Sequence, residues 1–168
     1  MFRVYLGLGS NLGDRLEYLS RAVQEIGSIV SANSISSVYE TEPVGMESDT
    51  PFYNMALGVD TPFYPPELLL HLKKIERKLG RKRGSHMQPR EIDIDILLYR
   101  GYMYEDPMVQ VPHPFLEHRR FALEPLNEIA PTAIHPQLNK TIASLLRECR
   151  DRAMVSRTVH LLTTEFTY

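Results

Sequence analysis

Hydrophobic and polar positions change period several times along the chain, and each change marks an element. Residues 2 to 8, FRVYLGL, are mostly apolar and read as a buried strand that runs into the turn GSNLGD. Leu16, Leu19, Val23 and Ile26 then recur at spacings of three and four. This predicts a helix that Asn11 or Asp14 would cap and Gly27 would close. Residues 36 to 45, SSVYETEPVG, read as a strand followed by a proline-bearing loop, and residues 53 to 61, YNMALGVDT, as another strand. Pro65, Pro66 and Glu67 open a second helix with Leu68, Leu69, Leu72, Ile75 and Leu79 on one face and Gly80 at its end. The period then returns to two: Ile92, Ile94 and Ile96 alternate with Glu91, Asp93 and Asp95, before Leu97, Leu98 and Tyr99.

The order β-α-β-β-α-β predicts an α+β fold: a ferredoxin-like antiparallel sheet with helices packed on one face. From residue 106 prolines recur too often for long elements. Short helices around residues 120 to 128 and 141 to 149 are expected as C-terminal additions. The tail RTVHLLTTEF could add an edge strand. A length of 168 residues suits one domain, taken as residues 1–168, with a core of its own. Net charge of −2 argues against a general nucleic-acid binder. The single Cys149 leaves no internal disulfide and no cysteine cage for a metal, and should be core. No run of 18 apolar residues and no signal-peptide pattern is visible, so no membrane association is expected and the reading is cytoplasmic.

The isoleucine strand is where chemistry begins. Residues two apart on a strand share a face roughly 7 Å apart. With the isoleucines turned to a core, Asp93 and Asp95 stand side by side on the other face. Aspartate is depleted in strands and adjacent anions repel. The pair is either a solvated polar face or a divalent-metal site, and magnesium is commonly held by one or two carboxylates plus substrate phosphates. From Lys73 to Arg90 there are eight cations against the single acid Glu76. Cations at a helix C-terminus favour its dipole, but GRKRGSHMQPR continues past the helix as a glycine-bearing loop. It reads either as a solvated basic loop or as a polyphosphate clamp, since guanidinium groups recognise phosphate oxygens bidentately. A clamp leading straight into paired carboxylates would make the two halves of a nucleotide–magnesium site.

Other features are less specific. GLGSNLGD fits neither the GxGxxG nor the GxxxxGK[ST] spacing, so Gly9 and Gly13 are read as turn and cap residues. His113, pinned between Pro112 and Pro114, is structural or hydrogen-bonds a phosphate. Phe52 and Phe121 are ordinary core or sandwich a flat heterocycle whose edge Asn54 would read.

Taken together and in order, GLGSNLGD, YETEPVG, PFYNMAL, IERKLGRKR, PREIDIDILLY and the VPHP…RRFAL stretch resemble the 6-hydroxymethyl-7,8-dihydropterin pyrophosphokinases of folate biosynthesis. The resemblance is colinear from about residue 3 to residue 135. It implies a ferredoxin-like fold and transfer of pyrophosphate from ATP to the pterin's hydroxymethyl oxygen, with AMP released. It implies that Asp93 and Asp95 hold two magnesium ions, and that Arg81 and Arg90 serve the reaction with them. Arg81, Arg83 and Arg90 would contact phosphates, with Glu76, Ile96, His113 and Arg119 completing the ATP site. Thr41, Pro43, Val44, Phe52, Asn54 and Phe121 would form the pterin pocket, Phe52 and Phe121 stacking on the ring. Two departures stand out: Met87-Gln88 replaces a frequent Trp-Gly, and Met108 stands where some members have arginine. Residues 136–168 have no firm counterpart. Association with other folate-pathway enzymes is left open. The competing readings are a non-catalytic ferredoxin-like module for nucleotide or RNA, and a metal-dependent phosphohydrolase.

Overall fold

The computed structural model of the chain describes residues 1–43, 49–81 and 89–162. The elements run β1 (Phe2–Ser10), α1 (Arg15–Gly27), β2 (Ser31–Ile35), β3 (Tyr39–Thr41), β4 (Phe52–Thr61), α2 (Pro65–Lys78) and β5 (Asp93–Tyr99). There follow β6 (Tyr104–Glu105), β7 (Gln110–Val111), α3 (Arg120–Ile129), β8 (Ile134–His135), β9 (Lys140–Thr141), α4 (Ile142–Glu148) and β10 (Val155–Arg157). Among the described residues the main sheet has six strands, in the order β10-β3-β4-β1-β5 with β2 also beside β4. Every pairing in it is antiparallel. With α1 and α2 on one face, this is the expected ferredoxin-like arrangement.

Local chemistry sets the ends of the helices. Asp14 caps α1, its carboxylate accepting the Glu17 N–H at 3.1 Å. Gly13 turns into that cap with φ of 68°. Helix α1 includes Gly27 and stops at Ser28, whose N–H reaches back to carbonyls of the last turn. Pro65 starts α2, where its missing N–H costs nothing. At its far end Gly80, φ 105°, donates to Arg77 O and Arg81 donates to Glu76 O, a Schellman closure.

β2 was not legible in hydropathy, because SANSI has no alternation and lies at the sheet's edge. It forms one broken strand with β3. Ser36, at the break, donates its N–H to Ala56 O and accepts the Ala56 N–H at 2.8 Å.

The core explains which way β5 faces. Leu6 and Leu8, Leu57 and Val59, and Ile94 and Ile96 pack against α1 and α2. Burying each such side chain is worth about 1.5–3 kcal/mol. Slipping the register by one residue would turn the whole set outward. The isoleucines therefore hold Asp93 and Asp95 on the opposite face. That second face is covered only in part: Tyr5, Ala56, Leu97 and Leu98 meet α3 and α4 there, with Cys149 buried among them as expected. A register shift beside Leu97 lets both leucines serve this second core. The expected edge strand exists but lies upstream of most of the predicted tail, at Val155–Arg157 against β3.

Candidate active site

A cavity of about 720 Å³ opens on the second face of the sheet, where α3 and α4 leave it uncovered. Its size suits a small-molecule site. Its floor is glycine. Gly7 and Gly9 lie opposite Asp95 and Asp93 in the β1–β5 register. A Cβ on Gly9 would come within 2.5 Å of Asn54 Oδ1, and one on Gly7 within 3.2 Å of Leu97. Gly9 is thus no turn residue: it lies within β1, where a side chain would intrude on the cavity.

At one end of the cavity Asp93 and Asp95 project side by side, with Arg81, Arg90 and Lys73 around them. Arg81 Nη1 bonds Asp93 Oδ1 at 2.5 Å and Glu76 Oε1 at 2.7 Å, and Arg90 Nη1 bonds Asp93 Oδ2 at 3.2 Å. Glu76 is buried behind them rather than lining the cavity. Its carboxylate accepts the Ile94 N–H at 2.7 Å and Lys73 Nζ at 3.0 Å, so it ties α2 to the backbone of β5 between the two aspartates. Arg90 is anchored from its backbone, donating its N–H to Asn11 Oδ1 at 2.8 Å and accepting from Asn11 N–H. Asn11 does this instead of capping α1.

The two carboxylates fare differently. Burial alone would raise the Asp93 carboxyl, but Arg90, Arg81 and Lys73 outweigh it and hold it below the usual range. Asp95 forms no hydrogen bond or ion pair with any described residue. Burial and the Asp93 charge push it up to about 7. Arg81 is held still more firmly protonated, because Asp93 and Glu76 overcome its own burial. Ile96, expected at the nucleotide, has its side chain in the core on the other face, so it does not line the cavity.

His113 and Arg119 line the cavity beside this cluster. The His113 N–H donates to Leu97 O at 2.9 Å, fixing its backbone on β5, and Nδ1 accepts the Phe115 N–H at 3.3 Å. That assigns the ring proton to Nε2, 3.5 Å from Arg119 Nη1. Burial and the Arg119 charge push the imidazole down to about 4, so it is neutral near pH 7.

At the other end Thr41, Phe52, Asn54 and Phe121 line the cavity. The Asn54 amide donates to Thr41 Oγ1 at 2.8 Å. The register of β3, β4 and β1 puts all three β-strand residues on the face that carries Gly9. The Arg119 guanidinium lies 5.7 Å from the Phe121 ring centre. Pro43 is half-buried but does not line the cavity. Val44, Arg83 and the Met87-Gln88 pair lie outside the described residues. Met108 is 71% exposed and away from the lining. Lys73, Glu42 and Asp151 were not expected to line the cavity but do. Lys73 was within reach of sequence reasoning, one helical turn before Glu76; Asp151 carried no signal.

A ferredoxin-like α+β sheet bearing guanidinium groups and paired carboxylates beside an aromatic pocket offers a small molecule both phosphate-binding and ring-binding surfaces. Residues 5–131 match the sequence model of the 7,8-dihydro-6-hydroxymethylpterin-pyrophosphokinase family. The chain is 46% identical over 142 residues to an Aquifex aeolicus 2-amino-4-hydroxy-6-hydroxymethyldihydropteridine pyrophosphokinase, covering 84% of this chain and 89% of that one. It is 44% identical over 127 residues to the Bacillus subtilis protein of the same name, covering 74% and 76%. In fold it resembles Plasmodium falciparum HPPK-DHPS crystallised with pterin and p-hydroxybenzoate, with a TM-score of 0.69, 18% identity and 88% of this chain covered. The chain spans 41% of that longer structure. The chain belongs to the 7,8-dihydro-6-hydroxymethylpterin-pyrophosphokinase family and is an ATP-dependent diphosphotransferase.

Proposed function

We propose that this cavity is where the chain performs its family's reaction, transfer of pyrophosphate from ATP to the hydroxymethyl group of 6-hydroxymethyl-7,8-dihydropterin with release of AMP, as a step of folate biosynthesis. The observation that carries the site assignment is the pairing of Asp93 with Asp95, one neutralised by arginines and the other without a partner among the described residues. Among the described residues no group of three or more acids, histidines or cysteines surrounds a point. Two carboxylates suit a hard cation that takes the rest of its shell from water and phosphate. Asp93 and Asp95 would hold two magnesium ions, which would supply charge neutralisation on the triphosphate oxygens.

The chain's own residues do the rest. Arg81 and Arg90 sit where β- and γ-phosphate oxygens would lie against the carboxylates, with Arg83 joining from outside the described residues. Glu76 keeps Arg81 and the β5 backbone in fixed relation. His113, neutral, hydrogen-bonds a phosphate oxygen, and Arg119 adds charge beside it. Phe52 and Phe121 enclose the pterin, and Asn54 and Thr41 read its polar edge; Pro43 stands back from the lining, and Val44 lies outside the described residues. The hydroxymethyl oxygen is thereby aimed in line with the β-phosphorus. Ile96 serves through its place in β5, by packing.

We also read residues 1–168 as a single domain working in the cytoplasm. Among the described residues no helix is long and apolar enough to cross a membrane. Association with other folate enzymes is supported by the fused HPPK-DHPS structures that resemble it.

The test is direct: with ATP, magnesium and hydroxymethyldihydropterin, AMP should appear in step with pterin diphosphate. AMP formed without the pterin would indicate a phosphohydrolase, and magnesium-independent ATP binding without turnover would indicate a binding module.

A further inference from the structure

The last wall of the cavity comes from a part of the chain beyond the family match, which ends at residue 131. After α4 the chain crosses the cavity's aromatic end, where Asp151 and Ala153 line it. Asp151 is held on both sides. Its Oδ2 accepts the Arg120 N–H at 3.1 Å and its carbonyl accepts Arg120 Nε at 3.0 Å. Its Oδ1 accepts the Ala153 N–H at 2.9 Å, while Arg120 also reaches Cys149 O at 3.3 Å.

Arg120 is the first residue of α3, and the helix has no cap from its own Arg119 side chain. One of its open N–H groups is therefore satisfied by a carboxylate 31 residues later in the chain, an anion placed where the helix dipole favours it. The flanking residues Arg119 and Phe121 both line the cavity. Three residues beyond Asp151, Met154 donates its N–H to Glu42 Oε1 at 2.8 Å and accepts from Glu42 N–H. β10 then pairs Val155 with Thr41.

We infer that residues 149–155 are a positioning strap for the pterin end of the site, with Asp151 the positioning residue that holds the first turn of α3, and so Phe121, in place against β3. This rests on the pterin reading of that end. Among the described residues no hydrogen bond or ion pair joins residues 149–155 to Asp93, Asp95, Arg81 or Arg90, so loosening the strap should affect the two substrates unequally.

Steady-state kinetics on the full chain tests this. Asp151→Ala should raise the KM for hydroxymethyldihydropterin about tenfold, the loss of roughly 1.4 kcal/mol of hydrogen bonding, with the KM for ATP within about twofold. Asp151→Asn, which still offers one carbonyl oxygen to the Arg120 N–H, should recover most of it. Hydrogen exchange at residues 119–123 should speed up in the Ala variant and return with Asn. Should Asp151→Ala fail to fold, Arg120→Lys removes the guanidinium contacts to Asp151 O and Cys149 O and should show the same one-sided KM rise. An unchanged pterin KM, or equal rises in both, overturns the strap while leaving the reaction standing. A wild-type chain that makes no AMP from ATP and the pterin overturns the reaction and the strap together.

Discussion

At the acidic end of the cavity each charged group answers to several others: Asp93 to Arg81 and Arg90, Arg81 to Asp93 and Glu76, and Glu76 also to Lys73 and the Ile94 N–H. At the aromatic end Asn54 rests on a single hydroxyl, that of Thr41, and the start of α3 on a carboxylate from the C-terminal segment. The first end is assembled from one stretch, the close of α2 and the start of β5. The second is gathered from β3, β4, α3 and the chain after α4. Charges that must act together are therefore wired locally and redundantly, whereas the shape of the aromatic pocket depends on distant pieces meeting. One asymmetry remains inside the acidic end, where Asp95 forms no hydrogen bond or ion pair with any described residue.

Changes at the acidic end should show that redundancy breaking. Asp95→Ala is expected to lower kcat by roughly a thousandfold or more, since several kcal/mol of charge stabilisation are at stake and each ~1.4 kcal/mol is tenfold. Its melting temperature should not fall, because the carboxylate lost is a buried one that bonds no described residue; a comparable turnover would refute the assignment. Glu76→Ala leaves the Ile94 N–H without its acceptor and Arg81 with Asp93 alone, and should cost about 3 kcal/mol, lowering the melting temperature by roughly 6–12 °C. Gly9→Ala probes the other end. Its Cβ would displace Asn54 Oδ1, 2.5 Å away, and break the contact to Thr41, raising the pterin KM about tenfold while leaving the ATP KM near normal.

The smallest effect concerns protonation. The His113 imidazole should stay neutral until about pH 4, which proton NMR of the ring can follow. The fold favours the neutral form, so this residue's contribution is intact above the unfolded value of about 6.5 and lost as pH falls towards 4. Asp95 acts in the opposite sense, favouring the fold when protonated and losing that contribution as pH rises from its ordinary value to about 7. A bulk melting curve sums the two, whereas the ring resonance isolates His113.

The same contrast governs what could be read from sequence. The acidic end was legible because its residues are contiguous and because a period-two run fixes the face of Asp93 and Asp95. The role of Glu76 as a tie across α2 and β5 needed the Schellman turn that brings Arg81 back beside it. At the aromatic end, Phe52, Asn54 and Phe121 could be read either as ordinary core or as a heterocycle pocket, and only family resemblance chose between the two, since isolated aromatics carry no period of their own. The open floor at Gly7 and Gly9 depends on strand register, which hydropathy does not show. β2 was missed because SANSI pairs along its backbone with few buried side chains. The strap was missed because residues 149–155 act through hydrogen bonds of Asp151 and Met154 to partners far away in sequence.

Manganese binding read by electron paramagnetic resonance, with a non-hydrolysable ATP analogue present, tests the central claim most directly. The wild-type chain should bind the ion tightly with the analogue, and Asp95→Asn should weaken that binding by at least about tenfold, roughly 1.4 kcal/mol. Equal manganese affinity in the two proteins would contradict the assignment of the paired aspartates as the metal-holding groups.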